Sequence, residues 1–298
     1  MNLKKWSLFA LIGLFLFAAV LPQTASADAV TGGGKTVVTL GADLTQQERQ
    51  SLLQEMGADS NAETINVSIA DIQQYLGKGS GNASVGGDNK AYSSARITLT
   101  GSGSGIKVKA NNVTQVTEQM YANALLTAGV KDADVYVTSP KPVTGTAALT
   151  GIMMAFEKAS NHQISQEQRQ VANDEMLQTS QLGQKIGDKD KAAAFMTQVK
   201  EEIAKQQPQT EQEVRDIVVN VAGDLNVNLN DQDINNITNV MYKFSQLNID
   251  WDALGSQLND LKGQLDKVLN SEEAQGFFDQ LLAWLKELWN SIMGATSK

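Results

Sequence analysis

The feature that most restricts what this chain can fold into is a change of pattern at Asn161: strand and helix signals alternate before it, and only helical periodicity follows. Alternating signals require a sheet covered by helices, whereas helical repeats alone pack as a bundle. Residues 35–40 form a short β-branched run, and Thr45 with Glu48 makes a capping box that opens a helix stopping at Gly57. Residues 64–68 read as a strand and 70–76 as a short helix. Residues 77–94, with five glycines, are expected to form a loop. Residues 95–100 and 106–110 flank the run Gly101, Ser102, Gly103, Ser104, Gly105, which predicts a β-hairpin. A helix over about 114–128 ends at Gly129, and residues 135–138 supply a last strand before Pro140 and Pro142.

Two stretches share one plan: residues 35–68 and 106–138 each read strand, capped helix, glycine, strand. A strand that returns to its sheet through a helix runs parallel to its predecessor, whereas a hairpin is antiparallel, so the sheet is expected to be mixed. Ala147, Gly151, Ala155 and Ala159 then put a small-residue ridge on the next helix, with Leu149, Met153 and Phe156 on another side. Such a helix can approach a sheet closely and belongs in the core or between domains.

After residue 161 the apolar spacing is helical throughout. Ala192, Phe195, Met196, Val199 and Ile203 share one face; Val214, Ile217, Val218 and Val221 repeat it behind a Thr210–Glu213 capping box; Ile234, Ile237, Met241 and Phe244 continue it. Trp251, Leu254, Leu258, Leu261, Leu265 and Val268 step by three and four, as in closely packed helices. The expected class is α+β: a mixed-sheet α/β domain over 28–162 and an all-helical domain over 163–298, after a leader over 1–27.

That leader reads as a signal peptide. Lys4 and Lys5 precede the apolar residues 6–21, then come Pro22 and the small-residue run Ala25, Ser26, Ala27, which predicts cleavage between Ala27 and Asp28. Sixteen apolar residues fall short of the roughly 20 that cross a bilayer as a helix. Removing 27 of 298 residues takes two lysines with it and leaves 22 positive against 33 negative side chains, a net charge of −11. Such a chain is repelled by phosphate backbones, so nucleic acid is not an expected partner. With no cysteine, disulfides, thiolate catalysis, thiol zinc sites and a lipoprotein anchor are all excluded.

Few motifs carry chemistry. AVTGGGKT at 29–36 loosely fits a phosphate loop but lacks the preceding strand that such a loop needs. His162 is the single histidine, which with no cysteine leaves too few ligands for a usual zinc site, and is expected at the surface or at a helix cap. Asp224, Asn226, Asn228, Asn230, Asp231 and Asp233 alternate oxygen donors, yet Leu229 and Asn235 stand where a helix-loop-helix calcium site needs glycine and glutamate. Asn230 or Asp231 is expected to cap the next helix instead. No metal site, cofactor or catalytic residue is assigned. Asp43, Glu48, Asp71 and Glu157 are the carboxylates from which a hydrolase of envelope polymers would draw a catalytic pair. SPKPVTGT at 139–146 is the most distinctive stretch, its two prolines stiffening the approach to a helix start. Ser139, Thr144, Gly145 and Thr146 are the candidate ligand-binding residues, through backbone amides freed at that helix end.

Phe277, Phe278, Leu281, Trp284, Leu285, Leu288, Trp289 and Ile292 give the last helix, over 272–293, more apolar surface than a solvated helix shows. Packing on the Trp251 helix is the expectation, with contact to a partner or a membrane as the alternative. VTLGADLTQQERQSLLQEMG at 38–57 and TSPKPVTGTAALTGIMMAFEKAS at 138–160 resemble the YpuA-like family of secreted bacterial proteins of unknown function, a family built on domain of unknown function 1002. The resemblance implies export from a Gram-positive, endospore-forming type of cell and a role at the envelope, and supplies no catalytic or ligand residues. The chain is thus expected to be exported and to act by binding an envelope component or protein, at the cell envelope or in the medium. The competing expectation is a carboxylate-dependent hydrolase.

Overall fold

The structure, a computed structural model, describes residues 34–58, 62–76 and 90–269. The leader with Ala27 and Asp28, the glycine segment up to residue 33, loop residues 77–89 and the apolar helix expected over 272–293 lie outside the described residues, as do the side chains of Leu265 and Val268.

The described residues form an α+β fold, a mixed sheet with helices followed by helices alone. β1 (Thr36–Gly41) leads through α1 (Gln46–Glu55) to β2 (Glu63–Val67), which lies parallel beside it with Val37 opposite Glu63. Later in the chain, β4 (Ile106–Ala110) leads through α3 (Glu118–Thr127) to a parallel β5 (Ala133–Thr138), Ile106 opposite Ala133. Both units expected from the sequence are therefore present. Their helices begin at Thr45 and Thr117, whose side chains accept the backbone N–H three residues on, and end before Gly57 and Gly129, both at positive φ.

The expected hairpin is not formed. β3 (Ser94–Leu99) pairs antiparallel with β1 on one side and with β5 on the other, giving the strand order β2-β1-β3-β5-β4. β5 thus sits between the two strands that were expected to pair. The glycine run crosses the start of β5 and is tied there by Asp132 and by Ala133, whose N–H donates to the Gly105 carbonyl at 3.1 Å. Thr100 N–H donates to the Asp132 carbonyl at 3.1 Å, and Gly105 N–H donates to Asp132 Oδ1 at 2.9 Å. Burial decides the order: Ala133, Val135, Val137 and Thr138 of β5 are all 2% exposed or less, whereas Lys107 and Lys109 of β4 are exposed, as suits an edge strand.

The sheet is covered on both faces. Val38 and Leu40 pack under Leu52 of α1 and Met56, the residue after it, while Val37, Ile97, Val135 and Val137 face the larger core with α3 and α4 (Thr146–Ser160). The small-residue ridge of α4 explains its closeness: a Cβ added at Gly151 would stand 2.9 Å from Thr39 Oγ1. α2 (Ile69–Leu76) packs against α4 and α5 (Gln166–Ile186).

From α5 onward the chain is helical: α6 (Lys189–Gln206), α7 (Glu211–Asp224), α8 (Asp231–Ser245) and α9 (Trp251–Leu269) follow. The expected faces are buried, with Phe195, Met196, Val199, Val214, Val218, Met241, Phe244 and Leu258 all fully so. Each such side chain contributes about 1.5–3 kcal/mol relative to exposure. Thr210 with Glu213 and Asn230 with Asp233 form capping boxes. The residues on either side of 162 belong to one continuous hydrophobic cluster, since Leu125, Leu149, Met176 and Phe195 are all members of it. Among the described residues no helix is long and apolar enough to cross a membrane.

A buried ion pair joins α3 to α5 and α6. Lys200 and Glu175 are 0% and 1% exposed, and Lys200 Nζ lies 3.1 Å from Glu175 Oε1. The same ammonium donates to the Asn123 carbonyl at 2.8 Å, to Asn123 Oδ1 at 3.0 Å and to Thr127 Oγ1 at 2.8 Å, while the Thr127 hydroxyl donates to Glu175 Oε2. Phe244 of α8 closes the cage, its ring centroid 5.1 Å from Nζ. Burial raises the Glu175 carboxyl and lowers the Lys200 ammonium from their ordinary values, and their mutual attraction opposes both shifts.

Candidate functional site

β3 runs antiparallel to both β1 and β5, so the other four strands all point the same way and their carboxyl ends meet at one end of the sheet. From that end α1 departs on one face and α3 on the other. Open α/β sheets bind ligands at such a divergence. A groove of about 450 Å³ lies there, lined by Thr45, Gln47, Glu48, Ser51, Leu52 and Glu55 of the α1 side and by Asn112, Ser139 and Pro140 beyond β4 and β5.

Each wall is held by its local sequence. Glu48 is fixed by the capping box, its Oε2 accepting from Thr45 N at 2.7 Å and from Thr45 Oγ1 at 2.8 Å. The Thr45 backbone bond, then its hydroxyl, hold the Glu48 carboxyl below its ordinary value, and Lys141 adds a smaller attraction. Glu55, the last residue of α1, reaches across to the sheet ends. Its Oε1 accepts from Asn111 Nδ2 at 2.8 Å, Thr138 Oγ1 at 2.8 Å and Tyr136 OH at 3.1 Å. Partial burial pushes the Glu55 carboxyl up, but these three neutral donors outweigh it and leave it below its ordinary value.

Asn112 takes the left-handed conformation (φ 56°), and its amide donates to the Ser139 carbonyl at 2.8 Å, joining the turn after β4 to the end of β5. Ser139 is 0% exposed, and its Oγ has no hydrogen-bond partner. An unpaired buried hydroxyl destabilises its own fold. Ser139→Ala is therefore expected to raise stability by about 1 kcal/mol in urea denaturation while reducing whatever the groove binds. Glu55 gives a pH signature. Its depressed carboxyl contributes stability that is present above the unfolded value of 4.5 and lost as pH falls through the folded one. Glu55→Gln is expected to flatten that part of the acid limb in a pH series of thermal melts.

Of the four ligand candidates read from the sequence, only Ser139 lines this groove. Thr144, Gly145 and Thr146 stand at the start of α4, where residues 113–116 and Tyr121 pack over them. Gln115 and Val116 N–H donate to the Thr144 carbonyl, Tyr121 OH donates to the Gly145 carbonyl at 2.6 Å, and the Thr144 and Thr146 hydroxyls are 3.4 Å apart. Asp43, Asp71 and Glu157 each accept a backbone N–H, from Ala91, Ser68 and Ile164. His162 is exposed beside the α4 end and lines a second cleft of about 290 Å³ with Leu126, Val130, Ile249 and Gln257. The carboxyls pushed upward, Asp174, Glu175 and Asp190, belong to α5 and α6 and not to the groove. Among the described residues no three His, Asp or Glu side chains are grouped to hold a metal ion.

Sequence reasoning missed Glu55 and Asn112. Nothing marks Glu55 locally, because its partners come from β4 and β5. A left-handed residue just beyond a strand favours asparagine, and the pair Asn111-Asn112 was the available signal. Lys200 and Glu175 were also passed over, although Lys200 interrupts an apolar face between Met196 and Ile203.

The sequence profile of a family described as a protein of unknown function (DUF1002) matches residues 40–261. The chain is 41% identical over 286 residues to the uncharacterized protein YpuA of Bacillus subtilis (strain 168), covering 95% of this chain and 97% of that one. No solved structure matches.

Proposed function

The chain belongs to the DUF1002 family, and on that premise we propose that it is an exported protein of the bacterial envelope or medium that acts by binding. Its ligand site in this reading is the groove between α1 and the ends of β4 and β5. The observation that carries the proposal is the groove lined almost wholly by hydrogen-bonding side chains, among them Ser139, a buried residue whose hydroxyl has no partner in the structure. A stable fold retains an unpaired buried hydroxyl at a cost, and a ligand that pairs with it offsets that cost.

The groove carboxylates favour binding over hydrolysis. A general acid at neutral pH needs a carboxyl pushed upward, whereas Glu48 and Glu55 are both held down and remain ionised. Export is supported by the leader chemistry of Lys4, Lys5 and residues 6–27.

Two measurements test the proposal. N-terminal sequencing of protein recovered outside the cell is expected to begin at Asp28; material retained in the cytosol with Met1 intact contradicts export. Sedimentation of the purified protein with cell-wall fractions is expected to retain it, with Ser139→Ala or Asn112→Ala reducing retention. Equal retention of all three proteins removes the groove from the account.

A further inference from the structure

We infer that Lys200 and Asn123 react with each other once the chain has folded, forming an amide bond between their side chains and releasing ammonia. This activity is independent of the groove. The groups that the step requires meet at one buried nitrogen. Lys200 Nζ, the nucleophile, lies 3.0 Å from Asn123 Oδ1, so the Cγ carbon of that carboxamide is at most one C=O length, about 1.2 Å, farther away. Such a separation is close to that of a near-attack geometry. Glu175 Oε1, the proton acceptor, lies 3.1 Å from the same Nζ. Thr127 fixes both partners, its hydroxyl accepting from Nζ at 2.8 Å and donating to Glu175 Oε2. Asn123, Glu175 and Lys200 are all 1% exposed or less, so water does not compete for the carboxamide. Lys200 stands 77 residues from Asn123 and 25 from Glu175 in sequence, so only the folded chain brings the three together.

An ammonium has no lone pair with which to attack, and Glu175 removes that obstacle by taking one of its protons. Burial favours the resulting uncharged amine and carboxylic acid. The amine then adds to Cγ. As the Cγ–Nδ2 bond breaks, Glu175 gives its proton to Nδ2 and takes a second one from Nζ, so ammonia leaves and the acid ends neutral. The exchange of one amide for another needs no oxidant. Asn123 Nδ2 is the independent second observation: it is buried without a hydrogen-bond partner, so its departure breaks no bond. A neutral amide also replaces a charged pair in the core. In a chain without cysteine, the new bond ties α3 to α6 where no disulfide can form. Newly folded protein still carries the ion pair and is the reference for variants of that pair.

Intact-mass spectrometry of the full chain, followed over time at neutral pH, tests this. Folded protein is expected to become lighter by one ammonia molecule, whereas the same chain kept in urea from synthesis onward retains its full mass. In a tryptic digest of the denatured product, Lys200 is expected to stay uncut, with one branched peptide joining residues 110–131 to residues 192–205. Asn123→Ala and Glu175→Gln are each expected to keep the full mass. A variant that fails to fold would do the same, so the branched peptide of the parent is the deciding observation. Folded parent that keeps its full mass, with Lys200 cleaved normally by trypsin, overturns the inference. Loss of one water instead, with Lys200 joined to Glu175, overturns it as well, because the carbon attacked is then not that of Asn123.

Discussion

Replacing Lys200 with methionine is expected to lower stability by about 3–5 kcal/mol, the loss that follows when one member of a buried pair is removed. Methionine keeps most of the lysine's length, so the effect comes from charge and not from a cavity. Glu175, 1% exposed, would keep a hydrogen bond from Thr127 but lose its one cation. The carboxyl would then take up a proton rather than stay charged in the core. Its folded value is already raised above 4.5 by burial, so the variant's stability should be greatest below that value and fall as pH rises through the folded one. This slope is opposite to the acid limb assigned to Glu55, which makes the two separable in a single pH series. Combining Lys200→Met with Glu175→Gln removes both charges and is expected to recover most of the loss, to within about 2 kcal/mol of the parent. Urea midpoints for the two single variants and the double variant decide the matter. A double variant no more stable than Lys200→Met alone would show that hydrogen bonds to Asn123, and not charge pairing, hold the cage.

Gly145→Ala is the second large effect. Gly145 sits at φ 95°, a region that side-chain-bearing residues adopt at a strain of about 1–3 kcal/mol. The added Cβ would also press on Val113 and stand 2.5 Å from the Tyr121 hydroxyl. Tyr121 is fully buried, and its hydroxyl bonds to the Gly145 carbonyl, so relief by movement breaks that bond. Strain and overpacking together predict a loss of about 2–5 kcal/mol in denaturant unfolding. Gly101→Ala is the control. An added Cβ there meets nothing within 4 Å, and the change should lie within about 0.5 kcal/mol of the parent.

The contrast between these glycines marks what could be read from the chain alone. Local rules placed most helix ends well, although the helix expected from about residue 114 starts at Glu118, because the N–H groups of Thr114, Gln115 and Val116 donate to the carbonyls of Val143 and Thr144 instead. Thr45, Thr210 and Asn230 cap because a short oxygen-bearing side chain reaches the amide three residues on, whatever surrounds it. Both strand-helix-strand units followed from the same local signals. Strand order did not follow, because Gly101, Gly103 and Gly105 permit a turn without naming the strand beyond it. β5 took the position beside β3 through burial of Val135 and Val137, a choice made by residues some thirty positions away in sequence.

The groove was half legible for the same reason. Ser139 stood out through the prolines beside it, but the opposite wall consists of ordinary helix residues from α1. Glu55 acquires its role only when Asn111, Tyr136 and Thr138 are carried to it by the order β3-β5-β4. Thr144, Gly145 and Thr146 follow Ser139 closely in sequence. Yet the turn through Pro140 and Pro142 sends them under Tyr121 instead of toward the groove.

Amide NMR of the nitrogen-15-labelled protein, titrated with solubilised envelope glycan, measures where binding occurs. Shifts concentrated at Ser51, Glu55, Asn112 and Ser139, and lost in the Asn112→Ala protein, are the predicted result. Unmoved resonances at these four positions, with shifts gathered instead around the cleft of Leu126, His162 and Gln257, would contradict it.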